Sequence, residues 1–71
     1  MLKPMKLADV ARRTGVTMTA AEARRYANAG DPFLRNMACA LSLHTWHNTP
    51  ADWLRLQAAL VLLRARKARM R

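Results

Sequence analysis

The stretch "TPADWLRLQAALVLLRARKA", Thr49 to Ala68, decides the fold. Thr49 is a good N-cap residue, and Pro50 follows it at the first helical position, where its fixed φ is already suitable. Asp52 stands three residues after Thr49, the spacing of a capping box with Asp in place of the usual Glu. Trp53, Leu56, Leu60 and Leu63 then recur three and four residues apart, at heptad spacing. Leu54, Ala58, Val61 and Ala65 form a second stripe beside them, and Leu62 lies off both. A surface helix carries one apolar stripe, whereas a helix apolar on most sides is covered on most sides. The helix before it offers Phe33, Leu34, Met37, Ala38, Leu41 and His44, enough for one stripe only. The simplest expectation is a homodimer whose seam includes this helix. Trp53, Leu56, Leu60, Leu63 and Trp46 are then the dimer or partner surface. The alternative is a monomer whose apolar patch awaits another protein.

The rest of the chain is punctuated for helices as well. Alanine and leucine are abundant, and no period-2 alternation suggests a strand. Gly15 and Gly30 are the only glycines. The reading gives helices over Met5–Arg13 and Thr19–Ala29. A third starts after Asp31, with Asp31 as N-cap and Pro32 behind it, and ends near His44 to His47. The fourth starts after Thr49 and runs to about Ala68. The fold class expected is therefore all-α: one small four-helix domain over residues 1–71, a short N-terminal helical hairpin followed by a longer one. Its basic end, residues 64–71, is expected to fray.

Thirteen Lys and Arg stand against four acids, a net charge of +9. That balance favours an anionic partner. Ten of the thirteen are arginines, whose planar fork suits phosphate. "RARKARMR" at the end holds five basic residues in eight, suited either to phosphate contact or to the helix dipole. The longest unbroken apolar run, Ala58 to Leu63, is far short of the roughly 20 residues of a membrane span. A single cysteine and no signal peptide lead to the expectation of a soluble cytoplasmic protein.

"KLADVARRTGVT", Lys6 to Thr17, resembles the start of the helix-turn-helix in the lactose-repressor and mercury-resistance-regulator families. Val10, Ala11, Gly15, Val16 and Thr17 carry the likeness, which covers about 20 of the 71 residues. The resemblance implies a small Ala11 where two helices cross, a left-handed Gly15 in the turn, and Val16 plugging the core behind it. It also implies a second helix in the major groove, its N-terminal Thr17, Met18 and Thr19 at base edges. Arg12, Arg13, Arg24 and Arg25 become phosphate candidates. The second half departs from the pattern, because Arg24 occupies a place that the families fill with Val or Ile, and an unpaired buried arginine is very costly. An apolar face through Ala20, Ala23, Tyr26 and Ala27 is the alternative. "TAAE", Thr19 to Glu22, is a full capping box. A helix starting at Thr19 makes the turn longer than the standard one, while a start at Thr17 keeps it standard.

Other chemistry finds little support. Cys39, His44 and His47 offer three ligands at spacings that do not converge on one helix face, whereas a structural zinc site is closed by four. No metal or cofactor is expected. The four acids are dispersed, no glycine-rich phosphate loop exists, and Cys39 falls on an apolar face, so the chain reads as a non-enzyme. The leading expectation is a small DNA-binding transcriptional regulator of plasmid or phage type, with its helix-turn-helix-like segment at residues 7–26. The alternative is a small helical interaction module, such as a phage- or plasmid-encoded inhibitor of a host protein.

Overall fold

The computed structural model describes residues 3–69. Among them the chain forms four α-helices and no strand: α1 (Leu7–Thr14), α2 (Ala20–Ala23), α3 (Asp31–Leu43) and α4 (Pro50–Arg69), with a 3-10 turn at Thr45–His47 between α3 and α4. The all-α architecture is the expected one.

The long apolar segment becomes the hub of the molecule. Each of the other helices makes its main contact with α4. Trp53, Leu56, Ala58, Ala59, Leu60 and Leu62 of α4 are buried within the single chain, together with Val10 of α1, Ala23 of α2, and Leu34 and Ala38 of α3. Burying each of the larger side chains is worth roughly 1.5–3 kcal/mol. This corrects the expectation that Trp53, Leu56 and Leu60 form a dimer or partner surface. Three short elements wrapped around one long helix cover what a single hairpin partner cannot. Leu63 is half-buried, and of the five expected surface residues only Trp46 is exposed.

Several boundaries move. Gly30, in an extended conformation, is the N-cap of α3, so Asp31 lies inside the helix. Its carboxylate accepts from Arg66 Nη1 at 2.7 Å instead of capping, tying the start of α3 to the end of α4. The second helix is one regular turn rather than the eleven residues expected. Beyond Ala23 the backbone tightens, with Arg25 N–H donating to Glu22 O and Tyr26 N–H to Ala23 O. At the start of α4 the box forms as expected: Asp52 N–H donates to Thr49 Oγ1 (3.2 Å), and Thr49 N–H to Asp52 Oδ2 (3.1 Å). The basic end stays helical through Arg69, and residues 70–71, part of the segment expected to fray, lie outside the described residues.

Candidate functional site

The segment from Leu7 to Tyr26 is built around Gly15, which closes α1 with φ +72° and donates its N–H to Ala11 O (2.9 Å). That left-handed conformation favours glycine, and it turns the chain sharply off α1. What fixes the turn against the core is Gln57, a glutamine 1% exposed in the middle of α4. Its Nε2 donates to the Val16 carbonyl, and its Oε1 accepts from the Thr14 hydroxyl at 3.1 Å. A buried amide must find such partners or its desolvation goes uncompensated. Val16 is not the plug expected behind the turn; its side chain is exposed, and Met18, two residues on, is buried in its place.

Thr19 is the N-cap of α2. Its hydroxyl accepts from Glu22 N–H (3.2 Å), and the Glu22 carboxylate accepts from the Thr19 hydroxyl (3.0 Å) and backbone. The connection between α1 and α2 is therefore the longer of the two alternatives. Two expected base-reading residues are corrected by this arrangement. Met18 lies in the core, and the Thr19 hydroxyl is committed to the cap; Thr17 alone of the three is both exposed and without such a commitment. The apolar face of this segment runs through Ala23 and Ala27, with Ala20 half-buried, while Tyr26 is largely exposed. Arg24 and Arg25 both point to solvent.

The four acids are all engaged. Asp9 pairs with Arg12, Asp52 with Arg55 (3.1 Å) and Asp31 with Arg66 (2.7 Å), and Glu22 completes the capping box. Exposed pairs of this kind add little stability. They do consume the negative charge, so Arg13, Arg24, Arg25, Arg35 and Arg64 have no carboxylate partner among the described residues.

Comparison with known protein families, curated proteins and solved structures finds no match to this chain.

A second feature lies where α1 meets α4. The Arg13 guanidinium sits over the Trp53 ring, 5.1 Å from its centroid, in a cation–π contact. The pair separates two grooves. One, of about 380 Å³, is lined by Met5, Asp9, Arg13, Thr45, Trp46 and Trp53. The other, of about 450 Å³, is lined by Arg13, Thr14, Val16, Asn48, Pro50, Trp53 and Leu54. Trp46, 74% exposed, stands in the 3-10 turn with its ring 5.0 Å from His44 and 5.6 Å from His47. The turn is tied down by Asn48 Nδ2, which donates to Leu41 O at 2.8 Å. His44 and His47 thus contact aromatic neighbours and each other. Cys39 is half-buried on α3, and no group of three His, Cys, Asp or Glu converges among the described residues. No described helix is long and apolar enough to cross a membrane.

Sequence reasoning missed Gln57 and the grouping of Arg13 with Trp53 and Trp46. Gln57 interrupts an apolar run on a helix that needs cover on most sides, a signal that was available. The partnership of Arg13 with Trp53 spans forty residues and leaves no local mark.

Proposed function

We propose that the protein is a small DNA-binding regulator. Arg24 and Arg25 at the end of α2, together with Arg13 of α1, grip phosphates, while Arg12, the remaining phosphate candidate, is held by Asp9, and Thr17 lies nearest to the bases. The exposure of Arg24 is the observation that supports this reading. An inward Arg24 would have put a charge in the core and removed a phosphate contact. Instead the helix buries Ala23 and Ala27 and leaves both arginines with no carboxylate partner among the described residues. In this reading the regulator works as a homodimer that sets two such segments about one DNA turn apart.

The test is a fluorescence-anisotropy titration of labelled duplex DNA over a salt series. Affinity falls linearly with salt on logarithmic axes, and the R24A/R25A double variant flattens the slope by about two. An absence of duplex binding at about 50 mM salt overturns the reading. The second reading, an interaction module for another protein, draws on the exposure of Trp46 and Phe33, since tryptophan is enriched at binding hot spots.

A further inference from the structure

We infer that the groove between Trp46 and the Arg13–Trp53 pair binds an unpaired nucleotide within a single strand, the base stacking on Trp46 and the phosphate on Arg13. The proposal builds on the nucleic-acid reading above and shares Arg13 with it, but it adds Trp46 and concerns a different form of the ligand.

Three observations point to this ligand. Trp46 is the most exposed of the large apolar side chains among the described residues. Its turn is anchored by Asn48, and its ring packs against His44 and His47, so an aromatic face is held ready instead of folding into the core. Next, the cation lining this groove is an arginine with no carboxylate partner. The one acid in the groove, Asp9, is neutralised by Arg12. An aromatic platform beside an available guanidinium matches a base with its phosphate, and stacking accepts any base because every base has a π-face. Finally, Arg13 and Trp53 line both grooves, so a second groove, reaching Val16 and Leu54, adjoins the first across the pair. Two adjoining grooves suit successive nucleotides of a strand better than a free mononucleotide. A duplex keeps its bases stacked on one another and offers Trp46 no free face.

The experiment titrates the full chain with a labelled oligothymidylate of about ten nucleotides, a length in the range of single-strand sites. The same duplex as above and thymidine monophosphate are titrated alongside. Wild-type protein is expected to bind the oligothymidylate with quenching of tryptophan emission. W46A weakens that binding about 5- to 150-fold, W46F stays within a few fold of wild type, and duplex affinity shifts by less than about twofold in both variants. Unchanged helical circular dichroism of W46A confirms that the exposed ring was not holding the fold. Equal oligothymidylate affinity of W46A and wild type overturns the site, whether or not the duplex binds. Thymidine monophosphate binding as tightly as the oligomer overturns the strand in favour of a free nucleotide. Loss of duplex binding with retained, Trp46-dependent single-strand binding overturns the duplex reading and leaves the Trp46 site standing.

Discussion

Two residues hold the N-terminal segment in its turn, and they do so by different physics. Gly15 supplies a backbone conformation with φ +72°, and a Cβ placed there meets no atom within 4 Å. The cost of Gly15→Ala is therefore backbone strain alone, about 1–2 kcal/mol. Gln57 supplies two hydrogen bonds, to Val16 and Thr14, from a buried position. Gln57→Leu keeps the size but removes both bonds; the Thr14 hydroxyl, also within reach of the Ala11 and Val16 carbonyls, takes up part of the loss, so the cost is about 1 kcal/mol. Urea denaturation followed by circular dichroism measures both. The two substitutions meet in one turn, so their double variant should depart from additivity. A Gln57→Leu protein as stable as wild type would show that the Thr14 hydroxyl and the Val16 carbonyl satisfy each other without the amide. The glycine was readable from its place after an amphipathic segment with basic residues in its last turn. The glutamine stood out as a polar residue in an apolar stretch, but its partners were not readable, because they lie some forty residues earlier in the chain and only the assembled fold brings them together.

The helices differ in how much they depend on their ends. A helix of thirteen or twenty residues, such as α3 or α4, spreads its stability over several packed turns. The four-residue α2 has one turn, so its capping box is a large part of what makes it helical. Thr19→Ala removes the hydroxyl that both accepts from Glu22 N–H and donates to the Glu22 carboxylate, at a cost of about 1 kcal/mol. The expected signature is local: amide exchange at Glu22 and Ala23 accelerates, while amides of α4 around Leu60 slow or speed only with global stability. The equivalent change at α4, Thr49→Ala, should lower global stability by a similar amount without a local opening near α2. The capping box at Thr19 was clear from spacing alone, and so was the one at Thr49. The end of α2 was not, because Arg24, Arg25, Tyr26 and Ala27 are all acceptable in a helix. The three-residue backbone bonds of Arg25 and Tyr26 arise as the chain closes Ala27 onto the core.

The heptad pattern of α4 is read correctly as a demand for cover on most sides; the source of that cover is what only the folded molecule reveals. A count of apolar residues on the third helix alone leaves one stripe bare and calls for a second chain. The first two helices, short as they are, place Val10 and Ala23 against α4 and fill the remainder, with Met18 from the connection between them. Trp53, Leu56 and Leu60 thereby change from association residues to folding residues, and the two roles have separable consequences. Leu56 is fully buried, so Leu56→Ala loses about 2–5 kcal/mol through the transferred methyl groups and the cavity left behind. For a domain of this size that is a large share of a total of about 5–15 kcal/mol. If the side chain serves the fold of one chain, the loss appears in the unfolding midpoint by the same amount at every protein concentration. If it sealed a second chain instead, the loss would shrink on dilution, because both proteins dissociate and the interface contribution, which depends on protomer concentration, drops out. Urea unfolding of wild type and Leu56→Ala at protein concentrations spanning two decades separates these outcomes. The expected difference between the two proteins is constant across the series. A difference that narrows toward zero on dilution would return Leu56 to an interface between chains.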